Sequence, residues 1–134
     1  MREKNNNPVV HSVWVDCDIA EAFRLFTEGF SEWWPREALC EMEPWSGGRL
    51  FERTAKGEQE WGSITKWEPP RVLEFTWYPG RQEDSSETVQ VAFQVEADGT
   101  RVTLIHRGWN RKPDWGAILN LCFAGAAQRQ LVAR

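Results

Sequence analysis

The chain has 134 residues, a length that predicts one domain able to bury a core without disulfides or metal. Its net charge of −4, from 16 basic and 20 acidic residues, argues against nucleic acid as a partner, because phosphate binding requires a basic surface. Three widely spaced cysteines and two distant histidines indicate neither a disulfide framework nor a metal site, and no cofactor is expected. No segment resembles a signal peptide or a membrane span, so we expect a cytoplasmic protein that does not bind membranes.

The amino-terminal part predicts a flexible lead, one strand and two short helices. Met1–Pro8 is polar and is predicted to be flexible. Val9–Val15 is β-rich, and its alternation places the odd-numbered residues on one face. Asp18 is a good N-cap with an acidic residue three positions later, so a helix is predicted to start there. Gly29 separates this helix from a second short helical turn that runs to Trp34.

The middle of the chain predicts a meander of antiparallel strands separated by turn residues. The predicted strands are Cys40–Glu43, Arg49–Thr54, Gln59–Glu68, Arg71–Trp77, Thr88–Glu96 and Thr100–Arg107, with a polar loop over Pro79–Glu87. Gly62 interrupts the third of them, either as a bulge or where another part of the chain approaches closely. Alternation places Val89, Val91, Phe93 and Val95 on the inner face of the sheet.

The final stretch, Pro113–Arg134, predicts a long helix that begins near Asp114. Its predicted apolar face comprises Trp115, Ile118, Leu119, Cys122 and Ala126, widened by Leu121, Phe123 and Leu131. A helix this apolar requires a large surface to pack on, which the strands would supply. The order of elements therefore predicts an α+β fold, in which a curved antiparallel sheet of about six or seven strands surrounds the C-terminal helix and leaves a cavity beside it.

Nine tryptophans and seven phenylalanines make the chain unusually aromatic. Buried rings commonly form cores, and that interpretation is favoured for most of them. The alternative is a ligand pocket lined with rings, since indole combines a large apolar area with one hydrogen-bond donor. The predicted ligand-binding residues are Trp33 and Trp34 as a gate, with Phe51, Trp61, Phe75, Trp77, His106, Trp115 and Leu119 around the cavity.

His106 is the best candidate for chemistry, although no catalytic residue is assigned. It shares a predicted strand face with two apolar residues that should point towards the cavity. A general base would need a partner carboxylate, and Glu52, Glu60 and Glu74 lie on neighbouring predicted strands. The simpler interpretation is a histidine that hydrogen-bonds to the backbone or to a tryptophan.

Short motifs along the chain occur in an order typical of one protein superfamily. They are Ala22-Phe23 with Phe26-Thr27, Trp33-Trp34-Pro35, Gly47-Gly48-Arg49, Trp61-Gly62, Trp67-Glu68-Pro69-Pro70, Phe75-Thr76-Trp77, Gly99-Thr100-Arg101-Val102 and His106-Arg107-Gly108-Trp109. With these motifs the chain resembles the START-like (SRPBCC) superfamily, and within it the single-domain bacterial branch named after the activator of Hsp90 ATPase (AHSA1-like). The resemblance covers Val9–Leu121 and implies a helix-grip fold, with a single domain over residues 9–134.

Three functions are compatible with this resemblance, because the superfamily places many activities on one scaffold. The first is binding of a small hydrophobic or aromatic ligand in the cavity, with His106, Arg49 or Arg53 orienting its polar end. The second is an enzyme of the polyketide cyclase or aromatase kind, in which His106 and a linked carboxylate would move protons. The third is a protein-interaction module like the Hsp90 co-chaperone domain. A binding role is favoured over an enzyme, and exposed Trp14 or Trp109 would suit a homodimer.

Overall fold

The structure is a computed structural model that describes residues 7–34, 39–80, 82, 86–109 and 113–133, with the backbone alone at residues 39 and 125–133. In chain order its elements are β1 (Val9–Val15), α1 (Ile19–Thr27), α2 (Phe30–Trp33), β2 (Leu39–Met42), β3 (Arg49–Thr54), β4 (Gly57–Glu68), β5 (Val72–Thr76), β6 (Thr88–Glu96), β7 (Gly99–Arg107) and α3 (Trp115–Ala133). Most of the predicted N-terminal lead and part of the predicted 79–87 loop lie outside the described residues, as does Arg134.

The strands form one antiparallel sheet in the order β1-β7-β6-β5-β4-β3-β2. Consecutive strands from β2 to β7 pair directly, and β1 pairs with β7 at the other edge. The sheet curls into half a barrel, with α1 packed on β6 and β7 and α3 packed against β1 and α1. The predicted helix-grip α+β fold is therefore confirmed.

Side-chain caps begin the two longer helices near the predicted positions. An Oδ1 atom of Asp18 accepts the backbone N–H of Glu21 at 2.8 Å, at the start of α1. The equivalent atom of Asp114 accepts the backbone N–H of Ala117 at 3.1 Å, at the start of α3. Each such cap contributes about 1 kcal/mol to helix stability, because it satisfies a donor that the helix itself leaves unpaired. Gly29 lies between α1 and α2, as the sequence predicts.

Strand β4 shifts register at two positions. Two adjacent residues of β3 pair with Gly62 and Glu60, so Trp61 between them is an additional residue on β4. A second shift occurs at Thr65, against β5. Additional residues bend a strand and redirect its side chains, which suits a curled sheet. A Cβ atom at Gly62 would overlap the carbonyl oxygen of Thr76, so the close approach of β5 requires glycine there.

The core lies between the concave face of the sheet and the helices. Val89, Val91 and Phe93 point into it, as the alternation of β6 predicts. The prediction that Val95 is also buried there is wrong, since this residue is 67% exposed. It lies beside the turn between β6 and β7, where the packing that covers the rest of the strand has ended.

Helix α3 buries one face against the sheet. The buried residues on its described part are Trp115, Ile118, Leu119, Cys122 and Phe123. The prediction that Leu121 widens this face is wrong, because the advance of about 100° per residue turns it away from its buried neighbours and leaves it 47% exposed. The predicted contributions of Ala126 and Leu131 fall on side chains outside the described set. Over the described residues, no helix combines the length and apolar character needed to cross a lipid bilayer.

Candidate functional site

Five tryptophan rings from different elements meet between the sheet and α3, and we call them the tryptophan cluster. They are Trp33 at the end of α2, Trp34 directly after it, Trp61 on β4, Trp77 directly after β5 and Trp115 at the start of α3. The ring centroid of Trp34 lies 5.5 Å from that of Trp61, 5.8 Å from that of Trp77 and 6.4 Å from that of Trp115. These are edge-to-face contacts, each of which contributes about 0.5–1.5 kcal/mol beyond area burial.

Exposure to solvent differs across the tryptophan cluster. Trp61, Trp77 and Trp115 are at most 4% exposed. Trp33 and Trp34 are only half-buried, and their ring centroids lie 5.8 Å apart. This partial exposure is what the predicted gate requires, although gating itself stays a prediction.

The indole N–H groups of the tryptophan cluster are not equally satisfied. Those with described acceptors are Trp33, on the carbonyl of Leu25 at 2.7 Å; Trp61, on Oε1 of Glu52 at 3.2 Å; and Trp115, on Nδ1 of His106 at 2.9 Å. Nε1 of Trp34 is buried and has no hydrogen-bond partner, the one such side-chain atom among the described residues. An unsatisfied buried donor costs about 1–3 kcal/mol, so its presence at the edge of the cluster calls for an explanation.

His106, Glu87 and Trp115 form a buried chain of hydrogen bonds, which we call the His106 chain. Nε2 of His106 lies 2.7 Å from Oε2 of Glu87, and neither residue is exposed to solvent. Nδ1 of His106 accepts the indole N–H of Trp115. Because an indole N–H can only donate, Nδ1 carries no proton, and the ring proton lies on Nε2 and is donated to Glu87. Both nitrogens of a neutral imidazole are thus engaged within the protein.

Glu87 is the site residue that the sequence analysis missed. Its carbonyl oxygen accepts the backbone N–H of Trp77 at 3.0 Å, which holds it beside the tryptophan cluster. Its side chain turns inward because it precedes Val89, an inward residue of β6, by two positions. Extending the alternation of β6 backwards by two residues predicts the inward direction of the Glu87 side chain, although not its partner.

The three carboxylates named from the sequence as partners of His106 are engaged elsewhere. Their hydrogen bonds run from Trp61 to Glu52 at 3.2 Å, from the Tyr78 hydroxyl to Glu60, and from the Thr65 hydroxyl to Glu74 at 3.2 Å. The carboxylate beside His106 is Glu87 instead. The simpler interpretation of His106, a hydrogen bond to a tryptophan, is confirmed by its contact with Trp115. Strand position alone could not distinguish the carboxylates, because the shifts of register in β4 alter which side chains face each other.

Phe51 lies apart from the tryptophan cluster. Its ring is buried but lies beneath the guanidinium groups of Arg49 and Arg53, at 4.4 and 5.3 Å. Arg49 forms salt bridges with Glu43 and Glu58 at 2.9 and 3.0 Å, on the outer side of the sheet. The expectation that either arginine orients a ligand in the cavity is therefore wrong, and the structure separates Phe51 from the other predicted ligand-binding residues.

The remaining predicted residues gather around the tryptophan cluster. Phe75 and Leu119 are buried in the core, and the ring centroid of Phe75 lies 6.0 Å from that of Trp77. The imidazole of His106 contacts the rings of both Trp77 and Trp115, at 6.4 and 5.7 Å between centroids. The structure therefore brings together all of the predicted ligand-binding residues except Phe51, and their binding role stays a prediction.

A curled antiparallel sheet packed around a C-terminal helix defines the class of helix-grip proteins, and this chain has that architecture. Residues 16–131 match the model of the family described as "Activator of Hsp90 ATPase homolog 1-like protein". The chain belongs to this family, which confirms the resemblance inferred from its motifs.

Several solved structures are similar to this chain. CalC from Micromonospora echinospora, a self-sacrificing resistance protein, is 28% identical with a TM-score of 0.70, over 92% of this chain and 96% of that one. Txn09, an anthrahydroquino-gamma-pyrone synthase, is 27% identical with a TM-score of 0.54, over 96% of this chain and 86% of that one. The Aha1 dimer from Colwellia psychrerythraea, 16% identical with a TM-score of 0.61 over 92% of each chain, shows the fold alone. A search of curated proteins found no match.

Proposed function

We propose that the protein binds a small hydrophobic or aromatic molecule at the tryptophan cluster, between the sheet and α3. The observation that carries this proposal is the state of Trp34, a half-buried ring with an unpartnered N–H that contacts three almost fully buried indoles. A ligand ring beside Trp34 would gain the same edge-to-face contacts that the indoles make with one another.

Binding requires one of the outer rings to move, because the buried rings already contact one another. The indole N–H of Trp33 donates to the carbonyl of Leu25, whereas the indole N–H of Trp34 has no acceptor. No hydrogen bond therefore fixes Trp34 in its packed position, as one does for Trp33. When Trp34 shifts, it loses only ring contacts, and a bound ligand would replace them. In this proposal the ring of Trp34 shifts to admit the ligand and then packs against it, so that its N–H stays buried at the site. The more deeply buried indoles are the fixed walls.

The similar proteins support a ligand with fused rings. The name of Txn09 denotes a polycyclic aromatic compound, and its similarity to this chain extends over nearly the whole length of both. The two chains are 27% identical, and we infer the same class of ligand for this chain.

Intrinsic tryptophan fluorescence during titration with a panel of hydrophobic and aromatic compounds tests the proposal. We expect saturable quenching by one chemical class, with weaker binding in Trp77→Phe, because the smaller ring reduces the contact area of one wall. Trp45→Phe is the matched control, since Trp45 is 55% exposed and lies outside the tryptophan cluster. A flat response across the panel from folded protein would overturn the proposal and favour the protein-interaction module.

A cyclase-like enzyme is the second candidate, favoured by the carboxylate that lies beside His106. That reaction would require a nitrogen of His106 to face the substrate, whereas Trp115 and Glu87 occupy both nitrogens in this structure. The binding function does not require His106 to give up either hydrogen bond. If a panel compound that binds is also converted, and His106→Gln abolishes conversion but not binding, the enzyme is the better description.

The proposal places the protein in the cytoplasm, where its three cysteines would stay reduced. It holds for a monomer or a homodimer, since the tryptophan cluster lies within one chain. A structurally similar Aha1 protein is a dimer, and sedimentation of the purified protein determines which state applies here.

A further inference from the structure

We infer that the ligand carries a neutral hydrogen-bond acceptor, and that the indole N–H of Trp34 selects for it. This inference rests on the proposed function and specifies the ligand class as an aromatic ring system bearing a carbonyl or ether oxygen. Trp34 is then the residue that determines specificity at the tryptophan cluster.

The first step of the argument is the hydrogen-bond state of the buried donor. Nε1 of Trp34 is not accessible to bulk solvent, and no described group accepts its proton. A hydrocarbon ligand beside Trp34 would keep the donor buried and unsatisfied. A ligand with an acceptor oxygen would form the missing bond, and the free energy of that bond would favour it over the hydrocarbon.

The second step concerns the charge and hydrogen-bonding type of the ligand group beside Trp34. An indole N–H can donate but cannot accept, so it does not recognise an ammonium or amide N–H group. Two carboxylates already lie at the cluster: Glu52 accepts from Trp61, and Glu87 is linked to Trp115 through His106. Further negative charge beside them would be repelled in a site with little water. A neutral oxygen therefore fits the site better than a carboxylate or a phosphate.

The sharpest test compares two ligands that differ only in the acceptor, 9-fluorenone and fluorene. Protein labelled with ¹⁵N gives an indole signal for each of the nine tryptophans, and Trp34→Phe assigns the signal of Trp34 by its loss. We expect fluorenone to bind about fivefold more tightly than fluorene or better, from a net hydrogen bond of about 1 kcal/mol. We also expect fluorenone alone to move the Trp34 indole proton downfield.

Variants separate the donor from the ring. Trp34→Phe keeps an aromatic ring but removes the donor, so we expect it to bind fluorenone and fluorene with equal affinity. Trp45→Phe retains the preference for fluorenone, because Trp45 lies outside the tryptophan cluster.

The outcomes distinguish failure of the acceptor inference from failure of the proposed binding function. Equal affinities in the wild-type protein, with no downfield shift at Trp34, overturn the acceptor inference while the binding function stands. A preference for fluorenone that persists in Trp34→Phe also overturns the acceptor inference, because a donor other than Trp34 would then bind the carbonyl oxygen. If neither ring system binds at its solubility limit although other panel compounds bind, the inference about the ligand fails and the binding function stands. If the whole panel gives a flat response as well, the proposed function fails with it.

Discussion

Nε2 of His106 lies 2.7 Å from Oε2 of Glu87, and neither side chain is accessible to solvent. This contact joins a residue just before β6 to one near the end of β7, and Trp115 extends the same chain of hydrogen bonds to the start of α3. Buried polar groups of this kind stabilise a fold only while every member keeps its partner. The His106 chain therefore gives predictions about stability that are independent of any ligand.

Removal of the Glu87 side chain should destabilise the protein. Glu87→Ala would leave the Nε2–H of His106 buried without an acceptor, which costs about 1–3 kcal/mol in the free energy of unfolding. Glu87→Gln is the matched control, since its amide oxygen can still accept this proton. Urea denaturation measures both variants, and equal losses in the two would contradict the hydrogen-bond assignment.

The tautomer of His106 can be tested directly. We expect the Nε2–H form, because Trp115 donates to Nδ1. Imidazole ¹⁵N chemical shifts distinguish a protonated from an unprotonated ring nitrogen, so the wild-type protein should show an unprotonated Nδ1. Trp115→Phe removes the donor and should weaken this preference. A protonated Nδ1 in the wild-type protein would show that the Trp115 contact is assigned wrongly.

The glycine at position 62 should tolerate no side chain. A Cβ atom there would overlap the carbonyl oxygen of Thr76, so Gly62→Ala forces β4 and β5 apart and should lower the free energy of unfolding by about 1–3 kcal/mol or more. Gly116→Ala is the control, because its Cβ would meet nothing nearer than 3.6 Å. Since Gly116 is helical, alanine there should be neutral or stabilising by up to about 1 kcal/mol. Thermal unfolding of the pair provides the comparison.

The thiol of Cys122 should make stability depend on pH in the alkaline range. Burial, and to a lesser extent the nearby Cys17, raises the pKa of Cys122 above its ordinary value of 9.0. Above about pH 9 the unfolded chain therefore loses a proton that the folded protein keeps, so stability is fully present below this pH and falls as pH rises. The expected slope is about 1.4 kcal/mol per pH unit.

Comparison of wild-type protein with Cys122→Ala isolates this single group, because all other titrating groups are common to both. Urea denaturation between pH 8 and 10.5 should show a steeper decline for the wild-type protein. The small cavity left by alanine lowers the free energy of unfolding at every pH but does not change its slope against pH. Parallel curves would mean that the thiol titrates similarly in both states.

Local patterns were sufficient to predict most of the fold. The β-rich segment Val9–Val15 is a strand with the predicted bounds, and Asp18 caps the helix that follows it. These signals depend on residues that are close in sequence, where period and capping chemistry determine the structure. The inward direction of His106 was predictable for the same reason.

Long-range pairing explains the failures. The partner of His106 is Glu87, and nothing local to either residue indicates their contact, which depends on the register of β6 against β7. Leu50 and Phe51 are adjacent apolar residues on one strand, so only one of them can face the tryptophan cluster. Leu50 is buried in the core. Phe51 is buried as well, because Arg49 and Arg53 cover its ring on the other side of the sheet.

The hydrogen bond from Trp115 to His106 also implies an order of assembly. Glu87 and His106 are brought together by a hairpin, and contacts between segments close in sequence form faster than distant ones. We therefore expect the acceptor for Trp115 to form before the helix docks on it. We expect pulsed hydrogen exchange during refolding to protect the amides of β6 and β7 before those of α3. Simultaneous protection would indicate that sheet and helix condense in one step.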